Sequence, residues 1–426
     1  MNSEATALIN ALLYTIALVY FAYKNKFSVG VVIWALYVLA SWATYLFIQH
    51  PLYSTGIHYS EQTIFPYIYM FVLNFVAMYP LMKFKTIPEV MFNKKTWISL
   101  IMIGCSFIQL VFIIIDIPNV ISILKTPLNM LVEIRDAGYE SNTSLIEGLP
   151  LLNKINLIYS GFRIFASGLS IYFLLTLKKK RKLVWLFFIT TLLNNIRLII
   201  NQAGRGEIIL LFILYFCIFY SLRALIDKKR IRLIMLCVIP LIAVGLAFFW
   251  SITVSRFGQF AEYSLYKYLG EPMNNFNGLL FYKIEGYTNG RAYFSLLYRY
   301  LFGEADFISV SEKWKLINSL TGINGSIFYG WIGGLIIEFG KIAPIFIAVL
   351  LNRMMSHVCS LEQYRVGDLL ICIFFINFYI RGIFYFPTQN FEGVFSILFM
   401  FIFYFVFRIR KNQNSRWVFV LPKNKK

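Results

Sequence analysis

The sequence predicts an all-α, polytopic integral membrane protein, and three observations carry that prediction. The 426 residues are 59% hydrophobic and 19% aromatic, with a mean hydropathy of +0.68, more apolar matter than a soluble core needs to bury. The apolar residues gather into about eleven stretches, each near the ~20 residues that a ~30 Å hydrocarbon layer requires. The net charge of +20 is confined largely to alternate loops between those stretches.

The expected spans are 4–23, 28–48, 64–82, 97–118, 155–177, 183–200, 207–222, 233–252, 326–352, 367–385 and 393–409. Lys24 and Lys26 follow the first. Lys83, Lys85, Lys94 and Lys95 follow the third, and KKKRK at 178–182 follows the fifth. Arg223, Lys228, Lys229, Arg230 and Arg232, then Arg353 and Arg365, then the acid-free tail from Arg408 continue the series. The intervening segments 49–63, 119–150, 201–206, 253–325 and 386–392 carry little net charge. Positively charged loops stay in the cytoplasm, so the expected topology has the N-terminus outside and the C-terminus inside. KKKRK in isolation suits nucleic acid; between two spans it reads as an anchor on anionic lipid, and no nucleic-acid partner is expected. The first span has Glu4 before it and lysines after it, the reverse of a secretory signal, and is expected to be retained. Cys105, Cys217, Cys237, Cys359 and Cys372 fall in helices or a cytoplasmic loop and imply no disulfide framework.

No internal repeat or linker interrupts the chain, so 1–426 reads as one transmembrane domain, elaborated by external loops at 119–150 and 253–325. In the longer loop, RAYFSLLYRYL at 291–301 sets Phe294, Leu297, Tyr298 and Leu301 on one helical face, with Arg291 and Arg299 off it. RFGQFAEYSLYKYL at 256–269 has a similar pattern. Both read as short amphipathic helices on the outer surface, forming a lid or platform.

Arginine inside a bilayer is costly, so each one calls for a reason. Arg163 lies well inside the fifth span, Arg197 near the outer end of the sixth, Arg205 in the turn that follows, and Arg381 in the outer part of the tenth. All four belong to the external half. Arg197 is also close enough to headgroups to snorkel. Arg163 and Arg381 suit either a polar cavity or an ion pair with Glu338 or Asp116. The guanidinium fork matches phosphate oxygens bidentately, so arginines opening outward suit a lipid-linked phosphate or diphosphate. Gly204 and Gly206 flank Arg205 and allow close backbone approach, although a plain helical hairpin needs the same residues.

Metal-binding and nucleophile motifs are missing: no D-x-D, H-E-x-x-H, C-x-x-C or G-x-S-x-G. No cofactor or metal is expected. A general base is sought among His58, Glu207 and Glu338, since partial burial raises a carboxylate toward neutrality. His50 and His58 also read as plain loop residues, and Glu338 with Lys341 as an intrahelical pair.

The GRGE hairpin at 204–207, the large external loop with TNGRAYFSLLYRY, and NGSIFYGWIGGLIIEFGKIAPIFIAVL at 324–350 together resemble the bacterial O-antigen or oligosaccharide repeat-unit polymerases, called Wzy, and more distantly the O-antigen ligases. The motif content lies within about 190–350. Arg205 matches the family's glycine-flanked arginine, Arg291 its loop arginine, and Glu338, Phe339 and Gly340 its acidic-Phe-Gly element. Where the family often has a further glycine, this chain has Ile342, Ala343 and Pro344. The resemblance implies a metal-independent GT-C-type glycosyltransferase that joins undecaprenyl-diphosphate-linked oligosaccharides, donor and acceptor alike, at the outer face of the bacterial cytoplasmic membrane. A chain-length regulator is a further partner it implies. Arg205 and Arg291 then stabilise the diphosphate leaving group, Arg163, Arg197 and Arg381 extend the phosphate cavity, Arg256 and Arg299 line the loop, and Trp331 packs on sugar. The competing reading is a flippase for the same lipid-linked units, which would be built from two repeated halves with short loops. A membrane acyltransferase or another lipid-sugar glycosyltransferase, using His58 and Glu61, is a third.

Overall fold

The computed structural model describes residues 2–25, 27–53, 57–87, 90–91, 95–126, 148–177, 179–201, 205–226, 247, 250, 253–254, 257–303, 309–387, 391–406, 409–411 and 417–419. Helices dominate them: α1 (Ser3–Asn25), α2 (Val29–Gln49), α3 (Ile64–Lys83), α4 (Lys95–Lys125), α5 (Pro150–Thr176), α6 (Arg181–Asn201), α7 (Arg205–Ser221), α8 (Ala261–Asn275), α9 (Ser295–Phe302), α10 (Val310–Thr321), α11 (Gly330–Phe339), α12 (Ala343–Cys359), α13 (Val366–Gly382) and α14 (Phe391–Val406). Two short strand pairs complete the set: Val90–Met91 parallel to Tyr364–Arg365, and Ile409–Lys411 antiparallel to Trp417–Phe419.

Among the described residues, six helices are long and apolar enough to cross a membrane: α1, α2, α3, α4 from Ile98, α5 and α6. They make this an all-α, multi-pass membrane protein. The expected span 233–252 lies almost wholly outside the described residues. The expected span 326–352 is corrected. It is two helices, because Gly340 takes φ 81°, a backbone that ends α11, and Pro344 then sits in the first turn of α12, where its missing N–H costs nothing. Ten residues of α11 rise only about 15 Å, half of a hydrocarbon layer.

The chain divides into two compact units. The first comprises 1–85, 256–359 and 378–390, the second 86–255, 360–377 and 391–426. In the first, α1, α2 and α3 pack together around Tyr14, Trp34 and Tyr37, all essentially without exposed surface. Apolar contact alone does not hold helices together in lipid, so interhelical polar contacts matter there. The Trp34 indole donates to the Tyr14 carbonyl (3.0 Å), Asn74 Nδ2 to the Tyr14 hydroxyl (2.9 Å), and the Trp331 indole to Asn74 Oδ1 (2.8 Å).

The segment 256–269, expected on the outer surface, is also corrected. α8 packs along α2, and Gly270 comes so close that a Cβ there would stand 2.6 Å from the Thr44 nitrogen. The apolar stripe at 291–301 is helical only from Ser295. Its Leu297, Tyr300 and Leu301 are exposed, while Phe294 packs on Phe339 and Phe386.

In the second unit α4 packs on α6, and α5 on α6, α7 and α14. Gln109 donates to Thr191 Oγ1 (3.0 Å) and accepts from Thr190 Oγ1 (2.7 Å), and Asn195 donates to Ser167 Oγ (3.0 Å) and Tyr215 (3.1 Å). These amides sit on apolar helices and are satisfied by one another's neighbours, as a buried amide must be.

Candidate functional site

The most organised polar site in the first unit is built around Arg291. Thr288-Asn289-Gly290-Arg291 is a tight turn: the Arg291 N–H donates to the Thr288 carbonyl (3.0 Å), with φ 51° at Asn289 and 87° at Gly290. Positive φ at both central positions defines a type I′ turn, for which Asn-Gly is the favoured pair. Glu338, in the last turn of α11 and without exposed surface, clamps it. Its Oε2 accepts from Thr288 Oγ1 (2.6 Å) and the Gly290 N–H (2.5 Å), and its Oε1 from the Tyr293 N–H. Backbone contacts complete the joint, with the Thr288 and Asn289 N–H groups donating to the carbonyls of Ile337 and Glu338, each at 2.9 Å. Arg291 leaves this joint half-buried.

Three of the roughly four acceptor sites of Glu338 are thereby taken, which suits a positioning role. Its expected pairing with Lys341 is corrected as well: the Lys341 ammonium sits over the Phe281 ring, 4.5 Å from its centroid. A different lysine approaches. Lys313 of α10 is 6% exposed, lies 4.4 Å from the centroid of the Tyr293 ring, and is within electrostatic reach of Glu338. Burial pushes its ammonium down to about 7, against the opposing pull of Glu338.

The other expected residues of this unit are dispersed. Trp331 is buried in the helix core with its indole nitrogen bound to Asn74, so the ring is not available to pack on sugar. Arg381, in the last turn of α13, donates to the Tyr385 hydroxyl one turn on. Arg299 is exposed on α9, and His58 is exposed in the extended segment after α2. Arg256 lies outside the described residues.

In the second unit, two arginines are occupied by acids. Arg197 is 3% exposed and pairs with Asp116 of α4, which also accepts from Asn201 Nδ2 (2.9 Å). Its Nε donates to Asn194 Oδ1 (3.1 Å), and Phe112 lies beneath the guanidinium with its centroid 5.6 Å away. The snorkelling expectation for Arg197 is corrected, since a side chain so buried does not reach headgroups. Arg163 pairs with Glu392 of α14 at 2.6 Å, and with neither Asp116 nor Glu338. Arg205 opens α7, but its side chain lies outside the described residues, as does 202–204 before it. Glu207 stands half-buried in the first turn of α7, where the helix dipole favours a carboxylate.

Two features escaped the sequence reading. One is the Lys313 contact just described. The other is a run of buried polar side chains on α8, Glu271, Asn274 and Asn275, with Asn277 just after it. The signal was present in EPMNNFN, a polar run too dense for an amphipathic surface helix. Among the described residues no group of three or more His, Cys, Asp or Glu side chains is placed to hold a metal ion. No protein-family model, no curated protein and no solved structure matches the chain.

Proposed function

We propose that this protein is a membrane glycosyltransferase that polymerises undecaprenyl-diphosphate-linked oligosaccharide repeat units at the outer face of a bacterial cytoplasmic membrane, with about eleven spans, the N-terminus outside and the C-terminus inside. The observation that carries the reading is the Glu338 clamp. The two elements of the polymerase resemblance in this half of the chain, the glycine-preceded arginine and the Glu-Phe-Gly sequence, form a single hydrogen-bonded joint. A buried carboxylate spent on holding one turn makes sense where the residue that follows must be placed accurately, and that residue is Arg291.

In the reaction, a hydroxyl oxygen of the incoming unit bonds to the anomeric carbon of the growing chain. The bond from that carbon to the lipid diphosphate breaks, and its electron pair leaves with the diphosphate. The hydroxyl proton passes to a base. Fixed guanidinium charges oppose the negative charge gathering on the diphosphate, and removing one such donor costs about 10²–10³ in rate. We assign this role to Arg291, and the resemblance implies the same role for Arg205.

Deleting the gene should leave surface glycan capped with a single repeat unit while export of that unit continues. Arg291→Ala and Arg205→Ala should each slow extension by about 10²–10³, leaving no long chains, with membrane insertion intact. Units accumulating on the cytoplasmic side of the deletion strain would refute the polymerase and support a flippase.

A further inference from the structure

α10 holds the chain on both flanks of the Arg291 turn. Its own ends are fixed locally: Ser309 and Glu312 form a reciprocal capping box (3.2 and 3.0 Å), and Gly322, at φ 69°, closes the helix by donating to the Asn318 carbonyl (2.9 Å). Between those ends Lys313, Ile317 and Thr321, each four residues from the next, form the buried face.

That face lies on the segment from Glu285 to Tyr293, which contains the Thr288–Arg291 turn. Before the turn, the Glu285 N–H donates to the Thr321 carbonyl (3.1 Å), and the chains come so close that a Cβ on Gly286 would stand 2.4 Å from the Leu320 carbonyl oxygen. After the turn, the Lys313 ammonium lies over the Tyr293 ring. Lys313 and Thr321 are about two helical turns apart, a rise of about 12 Å, so one helix face reaches both flanks. The turn is therefore held by α10 as well as by Glu338 of α11.

Lys313 brings a charge to a face whose other buried members are an isoleucine and a threonine. A lysine stem often lies on apolar surface with its ammonium in water, but at 6% exposure this side chain is too buried for that. Two titratable groups face it. They are Tyr293, whose ring attracts a cation, and Glu338 of α11, within electrostatic reach. The other titratable groups of these elements look outward: Glu285 and Tyr287 on the segment beneath are exposed, as are Glu312 and Lys315 on α10, and Arg291 is half-buried. Tyr293 touches both sides of the pair, its ring under the ammonium and its N–H on Glu338. A nearby cation favours the ionised carboxylate, and that is the form that accepts from the turn most strongly.

We propose that Lys313 is a positioning residue for chain extension: its ammonium balances the Glu338 carboxylate, so fixing the turn that places Arg291, and extension is carried by the Lys313-protonated protein. This rests on the polymerase reading above. Loss of the proton leaves Glu338 a buried charge without that compensation, and the clamp on the turn loosens. Burial holds the ammonium down to about 7, so extension slows as the pH rises through neutrality.

The test uses the full chain in lipid vesicles with single lipid-linked units extracted from the deletion strain, and compares wild type, Lys313→Met and Lys313→Arg between about pH 6 and 9. Wild type should extend about tenfold faster than Lys313→Met at the acidic end, and the two rates should converge at the alkaline end, where both lack the charge. Lys313→Arg carries a charge that does not titrate and should keep its rate there. Folding stability rises over the upper part of this range, so a falling rate is not unfolding. The same loosening should appear without substrate: amide exchange at Gly290 and Tyr293, corrected for its intrinsic pH dependence, should accelerate with pH in wild type and not in Lys313→Arg. A ratio of wild-type to Lys313→Met rates that is the same at both ends, or amide exchange that is the same in those two proteins, overturns the proposal and leaves Lys313 a packing residue. Wild type that extends nothing refutes the polymerase reading itself, and amide exchange then decides the clamp. If Lys313→Arg does not insert, the comparison of wild type with Lys313→Met decides alone.

Discussion

Substituting Glu338→Gln keeps the shape of the side chain in the Arg291 joint and removes its charge. Glu338 offers Oε2 to Thr288 Oγ1 and the Gly290 N–H, and Oε1 to the Tyr293 N–H. Glutamine has one oxygen, so in either orientation its NH₂ faces a backbone N–H, of Gly290 or of Tyr293. At least one charge-assisted bond is lost, worth about 1.5–3 kcal/mol, and one buried donor is orphaned at about 1–3 kcal/mol more. The hydroxyl of Thr288 can rotate to accept, and relaxation recovers part of the rest, so about 3–4 kcal/mol of local stability should go. That loosens the type I′ turn and lets Arg291 wander, and displacement by about 1 Å is enough to cost ~10² in rate. Two assays check this. Amide exchange at Gly290 and Tyr293 should accelerate in Glu338→Gln, and chain extension should slow. Because the carboxylate acts through Arg291, the double variant with Arg291→Ala should be no slower than Arg291→Ala alone. Additive losses in the double variant, or unchanged amide protection, would refute the clamp.

Asp116→Asn should destabilise the protein by about 3–5 kcal/mol, because it strands the buried Arg197 charge, while pairing it with Arg197→Met should recover most of the loss in a detergent melt. Equal melting points of the single and double variants would argue against a buried pair. Lys313 is held down to about 7 from an ordinary 10.5, so between those values the unfolded chain binds more protons than the folded one, and stability should rise with pH. Lys313→Met should flatten that rise, and a slope like the wild type's would remove Lys313 as its source. Gly340→Ala meets both φ 81° and the Tyr287 ring, 3.0 Å from a new Cβ, and should cost about 1–3 kcal/mol in thermal stability.

The helices were legible where hydropathy alone decides them. From α1 to α7 the expected and observed elements coincide to within a turn or two, except that α4 and α5 extend into the expected 119–150 loop, because a long apolar run in a chain this greasy has little choice but a helix. The break inside 326–352 was less visible, since a window average does not register one glycine, although Gly340 with Pro344 is an ordinary stop-and-start signal. Arginine partnership was not legible. Asp116 stands 81 positions from Arg197, and Glu392 stands 229 from Arg163, separations that only the packing of α4 on α6 and of α5 on α14 closes.

That asymmetry bears on how such sites are found. A buried guanidinium is so costly that the fold tends to supply it with an acid, as Asp116 and Glu392 do here, and an arginine so matched is weak evidence for a phosphate. Beside Arg291, Glu338 holds the backbone of the turn that places it. Amides follow the same logic. Gln109 and Asn195 find protein partners on neighbouring helices.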